Sequence, residues 1–261
     1  MIFILLPAFN EEKTLPRLLE KIILLTKQHK LKTTTLVCND SSTDGTLKAI
    51  NPFESQMSLV TISHPINRGL GETSRDLFEK AAALAKDDDV IIRMDSDDTH
   101  SPEYIPIMLE KLGQGFDVVI ASRFANGGGQ KGVNFYRAMI SRAANLFMKV
   151  IFPVSGVCEY SCGFRAYKAS IIKKAILTYG NNFIQLKGLG FTGTLEKLIK
   201  LNLIGAKFTE IPFVLRYDLK DSSSKMVTSV TTMGYLVMAV LYHWPWSGWR
   251  MTYKNHIYTH K

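Results

Sequence analysis

Short apolar runs alternate with amphipathic stretches through the first half of the chain. Residues 2–6, 34–38, 59–62, 90–94 and 117–121 each read as a strand, and helical spacing fills the gaps between them. NEEKTLPRLLEKIILL opens on cap residues, early acids and a proline. NRGLGETSRDLFEKAAALAK sets two glycines in a turn ahead of an Ala-rich helix, and Ser101-Pro102-Glu103 is a helix start with its cap and N1 proline. Continuous apolar runs, rather than alternating ones, indicate strands buried on both faces. Strand and helix alternating at this spacing give βαβ units with right-handed crossovers. The predicted architecture is α/β: a doubly wound, mostly parallel sheet with flanking helices.

The second half is less regular. Over residues 134–151, Phe135, Met139, Ala143, Leu146 and Val150 follow the apolar period of a helix, while Arg137, Ser141 and Asn145 share one polar face. That face is either plain surface or a platform for an anion. GFRAYKASIIKKAIL gives a short extended piece and a helix; a further helix spans 190–201 and a late strand 207–217. Residues 126–129 (Asn-Gly-Gly-Gly) read as a mobile loop and 218–225 as a polar flexible one. Residues 226–249 carry no Asp, Glu, Lys or Arg, long enough to raise a spanning helix. Val230, Met233, Val237, Val240, Leu241 and Trp244 share one face, whereas Thr228, Thr232, Tyr235 and Tyr242 lie on another. Pro245 closes the helix, and Trp244, Trp246 and Trp249 beside Arg250 and Lys254 resemble headgroup-level anchors. The preferred reading is a C-terminal amphipathic helix lying in a membrane interface; the alternative packs its apolar face on the body. The chain divides on this reading into a domain over 1–225 and an interfacial segment over 226–261.

Composition adds charge to this picture. With 46% hydrophobic and 21% charged residues among 261, the chain is globular. Its net charge of +9 is uneven: the first 117 residues hold 18 of the 23 acids, and from 118 to 195 Glu159 stands alone against ten Lys and Arg. The second half therefore expects an anionic partner: a phosphorylated substrate, nucleic acid or an anionic membrane. Basic and aromatic residues are not interleaved as in a nucleic-acid motif, which sets that partner aside. The three cysteines fit buried thiols in a reducing compartment. Met1 runs directly into IFILL, a first strand rather than a signal peptide, so the domain is expected in the cytoplasm.

Candidate chemistry sits at the strand ends. PAFNE at 7–11, NDSSTDGT at 39–46, NRGLGE at 67–72 and DSD at 95–97 would share one edge of a doubly wound sheet, where such folds bind ligands. Asp95 and Asp97 can turn toward one hard cation; carboxylates with open water positions suit Mg²⁺ or Mn²⁺, which in turn bind a diphosphate. No Walker lysine motif and no GxGxxG follow the first strand, which argues against a P-loop NTPase or a dinucleotide oxidoreductase. Each feature is weak alone; their order is the signal.

That order, PxxNE, DxSxDGT, NRGLG and DSD, resembles the family 2 glycosyltransferases of GT-A fold. DSDDTHSPEYIP, VVIASRF followed by glycines, CGFRAY, and Arg216 and Lys225 flanking the Ser-Ser-Ser tract resemble, over residues 1–226, the polyprenyl (dolichol)-phosphate mannose synthases. The resemblance implies an inverting transfer of a hexose to polyprenyl phosphate, mannose from GDP-mannose before a UDP-hexose, on the cytoplasmic face of a membrane. Pro7, Phe9, Glu11 and Asp40 would frame the donor's base and ribose. Asp95 and Asp97, with Ser96 between them, would hold the divalent cation on the diphosphate, and Thr99 takes the third metal-proximal position. Arg123, Arg137 and Ser141 would receive the acceptor phosphate, while Arg216 and Lys225 would hold the donor's phosphates. Asp97, Arg123 and Arg137 would carry the catalysis, leaving Asp98 a bystander. A glycan or other hydroxyl acceptor would instead need a carboxylate base, with Glu159 or Glu196 as candidates. The chain departs from the family in having Asn39 and Ser41 around Asp40, where Asp and Gly are usual, and Glu159 where Asp is common.

Overall fold

Alternate residues of the first strand enter two different cores. In β1 (Ile2–Ala8), Phe3 and Leu5 join one hydrophobic cluster, whereas Ile2, Ile4, Leu6 and Ala8 join another on the opposite face of the sheet. The strand is covered on both sides, which is why it reads as an unbroken apolar run. The computed structural model describes residues 1–219, 228–244 and 248–252. Within them the chain continues as α1 (Thr14–Gln28), β2 (Thr33–Asn39), α2 (Thr46–Ile50), β3 (Leu59–Ser63), α3 (Gly69–Leu84), β4 (Val90–Arg93), α4 (Ile105–Gly113) and β5 (Val118–Ser122). Then come β6 (Gly129–Lys131), α5 (Phe135–Ile151), β7 (Arg165–Lys168), α6 (Ala169–Tyr179), α7 (Gly193–Leu203), β8 (Phe208–Pro212), β9 (Val214–Arg216), α8 (Thr228–His243) and α9 (Gly248–Thr252).

The main sheet has the order β3-β2-β1-β4-β7-β5-β8. Its pairings are parallel except those of β7, which runs against both β4 and β5. Leu15, Leu18, Leu19 and Ile22 of α1 and Ile105 and Met108 of α4 close one face; Leu77 and Phe78 of α3 and Leu195 and Leu198 of α7 close the other. Each fully buried Leu, Ile or Phe contributes about 1.5–3 kcal/mol. Cys38 and Cys162 are buried and Cys158 is half-buried, all free; burial pushes the Cys38 and Cys162 thiols up to about 12.

The late strand expected over 207–217 is two strands broken at Phe213, whose ring packs on His100, Tyr104 and Phe164. The glycine loop at 126–129 is tied down at its end: Gly129 begins β6, which pairs in parallel with β9 as a small second sheet. Both depart from expectation because three-residue strands are too short to show a period.

Helix α5 turns its faces opposite to the usual arrangement, and α8 does so in part. In α5, Asn145 and Met148 are buried, while Phe135 (81% exposed), Leu146 and Val150 (70%) face outward. In α8 the side read as polar is split: Tyr242 is buried and Tyr235 half-buried, but Thr232 is exposed. Thr231 and Met238 are buried on the side toward the body, while Val230, Met233, Val240 and Trp244 are exposed. The reason is close approach. Gly234 lets α8 meet Leu189 and Thr192, which any side chain there would strike, and Thr231 accepts a hydrogen bond from the Phe191 N–H. The two helices join at their C-terminal ends, where His243 bonds the Ile151 carbonyl at 3.0 Å and the Phe152 ring meets Tyr242. Trp249 does not serve as a headgroup anchor: it is buried in α9 with Lys200 over its ring at 4.4 Å. Pro245, Trp246 and Lys254 lie outside the described residues. Among the described residues no helix is long and apolar enough to cross a membrane.

Candidate active site

The carboxyl ends of β1, β2 and β4 share one edge of the sheet, and the chain turns sharply after each. Asn10, Ser41 and Asp98 take left-handed φ values of 52°, 59° and 61° there. For a residue with a Cβ this costs roughly 1–2 kcal/mol, and Ser41 stands where glycine is usual. Asp98 is no bystander: Lys21 of α1 donates to both its carboxylate oxygens at 2.7 Å and fixes the turn. These ends open into a cavity of 1220 Å³ lined by Pro7, Phe9, Glu11, Asp40, Asp95, Ser96, Asp97, Thr99, Arg123, Arg137 and Ser141. The predicted donor and acceptor residues thus surround one space, with two exceptions. Arg216 is not among the lining residues; it pairs with Asp218 at 2.8 Å. Lys225 lies outside the described residues.

Around the DSD turn the side chains are held from behind. Ser96 Oγ donates to the Pro7 carbonyl at 2.8 Å, joining the ends of β4 and β1. Asp97 Oδ1 accepts the Thr99 hydroxyl at 2.6 Å and the Thr99 N–H at 3.3 Å. Arg93 Nη1 lies 2.6 Å from Asp95 Oδ1. His100 Nδ1 accepts the Asp95 N–H at 3.0 Å, which directs its Nε2 toward Asp95 Oδ2 at 3.5 Å. Burial pushes this histidine below its usual range, and its ring stacks on Phe164. Among the described residues no three His, Cys, Asp or Glu side chains form an all-protein metal cage. A pair of carboxylates in an open cavity fits a hard divalent cation that completes its coordination with diphosphate oxygens and water.

Toward β2, Asp40 is committed to the protein. Its carboxylate accepts the N–H groups of Arg68 (2.9 Å) and Gly69 (2.8 Å), tying the NRGLG turn to the sheet edge. His64, buried beneath, bridges Asp40 at 2.6 Å and Asp76 of α3 at 2.9 Å. Glu11 accepts the Thr14 hydroxyl at 2.6 Å while its N–H donates to Thr46.

The basic side of the cavity begins at Arg123, after β5. Its Nε and Nη2 donate to the fully buried Glu159 at 2.7 and 2.9 Å, and Nη2 donates to Ser161 at 2.6 Å. Burial works against both charges, yet each partner outweighs it: Glu159 is held below the usual glutamate range and Arg123 above the usual arginine value. Glu159 also accepts the N–H groups of Ser161 and Cys162. Glu196 is buried against Lys200 and accepts the N–H groups of Gln185 and Leu186 at 2.8 and 3.0 Å. Neither glutamate lines the cavity, which corrects their candidacy as a catalytic base. Arg137 and Ser141 reach the cavity from α5, with Arg137 5.3 Å over the Tyr217 ring. Beyond them the cavity becomes apolar, between Ile140, Ala144 and Phe147 of α5 and Val230 and Leu236 of α8.

Motif order did not reveal His64, the pairing of Arg123 with Glu159, or Arg93. Only Arg93 left a mark in the sequence: a charge inside a buried apolar run must find a partner.

The fold is shared with solved structures. The chain superposes on glucosyl-3-phosphoglycerate synthase from Mycobacterium tuberculosis, in complex with Mn²⁺ and UDP-glucose, with a TM-score of 0.56 at 17% identity, covering 93% of this chain and 78% of that one. TarS residues 1–349 from S. aureus give a TM-score of 0.56 at 18% identity over 82% of this chain and 60% of that one. These GT-A glycosyltransferases share its fold. In sequence it is 27% identical to a dolichol-phosphate mannosyltransferase of Pyrococcus furiosus over 89% of this chain and 61% of the relative. It is 27% identical to a polyprenol monophosphomannose synthase of Mycolicibacterium smegmatis over 67% and 64%, and 28% identical to an undecaprenyl-phosphate mannosyltransferase of Micrococcus luteus over 80% of each. The chain thus spans less than two thirds of the length of the first two relatives. Residues 3–176 match the model of Glycosyl transferase family 2, and with more than half its length so matched the chain belongs to that family.

Proposed function

We propose that this chain transfers a hexose, mannose from GDP-mannose in first place, to polyprenyl phosphate with inversion at the anomeric carbon. The observation that carries the reading is the single cavity joining the DSD turn to Arg123, Arg137 and Ser141 and running on between two apolar helix surfaces. Pro7, Phe9, Glu11 and the turn held by Asp40 frame the nucleoside. Asp95, Ser96 and Asp97, with Thr99 fixing Asp97, form the cation side of the donor site. A Mg²⁺ or Mn²⁺ ion there would neutralise charge on the departing nucleoside diphosphate.

In the reaction an oxygen of the acceptor phosphate forms the new bond to the anomeric carbon as the bond to the diphosphate breaks. That oxygen is already anionic near neutral pH and needs no proton removed. What it needs is positioning against a like-charged donor, which Arg137 and Arg123 supply. A hydroxyl acceptor would need a carboxylate at hand, and Glu159 and Glu196 are both enclosed and saturated with donors.

Incubation with Mn²⁺, labelled GDP-mannose or a UDP-hexose, and a short polyprenyl phosphate should move label into the lipid phase; none with any donor would sink the proposal. Arg137→Ala should raise the acceptor KM about 10–100-fold, the worth of one charge-assisted hydrogen bond, with the donor KM little changed. A defect confined to the donor would show the arginine to be misplaced.

The same reading makes the protein peripheral to a membrane. Two helices that wall the cavity show apolar residues outward, and α5 adds Arg142 and Lys149 without an acid, a composition suited to anionic lipid. Val150→Asp with Val240→Asp should shift most of the protein from the floating to the bottom fraction in a vesicle flotation assay. Unchanged flotation would remove these helices from the membrane contact.

A further inference from the structure

The antiparallel pairing of β4 with β7 sets Arg93 directly opposite Arg165 in the middle of the sheet. Like charges in that relation repel, and both side chains are buried. Arg165 turns away and donates to the carbonyls of Tyr160, Cys162 and Thr194. A third buried cation, Lys197, lies close by; burial, then Arg93 and Arg165, push it well below the usual lysine range. Three basic side chains thus gather in the interior around Arg93. Among the described residues, the carboxylate within ion-pair reach of Arg93 is Asp95, at 2.6 Å. Room for the guanidinium comes from Gly163 of the CGFRAY motif: a Cβ added there would overlap Arg93 Nη1.

We propose that Arg93 is a positioning residue that neutralises Asp95 and thereby makes divalent-cation binding conditional on the donor's diphosphate. This rests on the reading of Asp95 and Asp97 as the cation's ligands. Two free carboxylates would hold a cation before the donor arrives. With Arg93 on Asp95 part of the pair's charge is already balanced, and ligand charge to make up for it has to arrive with the nucleotide. His100, fixed by the Asp95 N–H and aimed at the second carboxylate oxygen, keeps Asp95 in that orientation.

The test is Mn²⁺ binding to the full chain, read by the loss of the free-ion electron paramagnetic resonance signal, with and without GDP or UDP. Arg93→Met should bind Mn²⁺ about tenfold or more tightly without nucleotide, because a full opposing charge leaves the site. It should fold: it relieves Arg165 and Lys197 of a like charge, and the Asp95 it leaves behind is reached by solvent. Gly163→Ala keeps every charge but pushes the guanidinium off Asp95, so it should shift the affinity in the same direction and serves even if Arg93→Met fails to fold. Arg93→Lys should stay close to the parent. Parent-like Mn²⁺ affinity in both Arg93→Met and Gly163→Ala, with nucleotide-dependent binding intact, would overturn the proposal while leaving the cation site standing. Absence of Mn²⁺ binding in every protein, even with GDP or UDP, would remove the cation site itself and the proposal with it.

Discussion

Replacing Asp97 with alanine is expected to lower hexosyl transfer about 10³-fold, the scale seen when one preorganised electrostatic partner of a developing charge is removed. The bonds it makes to Thr99 are local ones. Its Oδ1 accepts from Thr99, two residues on, and its side chain faces the cavity. Thermal unfolding should therefore change by little, since the Thr99 bonds that are lost join residues two apart within one turn. Label transfer to the lipid phase, measured beside the unfolding midpoint, separates the two effects. Full activity in the variant would take the cation away from Asp97. A large loss of stability would instead place the residue among the supports of the turn, beside Asp98.

Glu159→Gln should have the opposite profile, a defect of stability before one of chemistry. It leaves the Arg123 guanidinium, largely enclosed beside Phe124 with its side chain 11% exposed, without its counter-charge and turns an amide donor toward N–H groups that need an acceptor. Breaking such a pair costs about 3–5 kcal/mol, which for a chain of this size lowers the unfolding midpoint by roughly 6–20 °C. The acid side adds a second signature. Because the folded carboxyl sits below its ordinary value of 4.5, its stabilisation is fully present above that value and is lost as the pH falls through the folded one. The gap between parent and variant should therefore narrow on acidification below about pH 4.5. Denaturant titrations at neutral and acid pH measure both. A cost under about 1 kcal/mol at neutral pH, the worth of a surface pair, would show that Arg123 stands without Glu159.

These residues also mark where the sequence is readable. Four of the five expected strands were legible because double burial leaves an apolar run, while β3, half-buried at the sheet edge, showed only its β-branched residues. The cavity edge followed from the rule for parallel strand ends. Asp40, Asp95, Asp97, Arg123, Arg137 and Ser141 came from motif order, and the fold brings them around one space. Partnership was not legible. Glu159 meets Arg123 across 36 positions, a relation that no local pattern encodes. The periods of α5 and α8 showed which residues share a face, but a period carries no sign: it cannot say which face turns inward. In α5 the body takes the side that the hydrophobic pattern would send to water, and in α8 it takes a mixed side, Thr231 with Met238 and Tyr242.

The reversed direction of β7 has a practical consequence for anyone attaching a probe. Its neighbours deliver their last residues to the cavity, but β7 delivers its first: Arg165 lies beside Arg93, and Lys168 beside Val90 at the opposite rim. The stretch just before β7, from Cys158 to Phe164, is therefore crowded ground for a fluorophore or an inserted tag. The turn after α4, where Gly115 holds a φ of 99° and nothing crowds it, leads into β5 at that far rim. A label placed there would report on the molecule without standing in the path of its substrates.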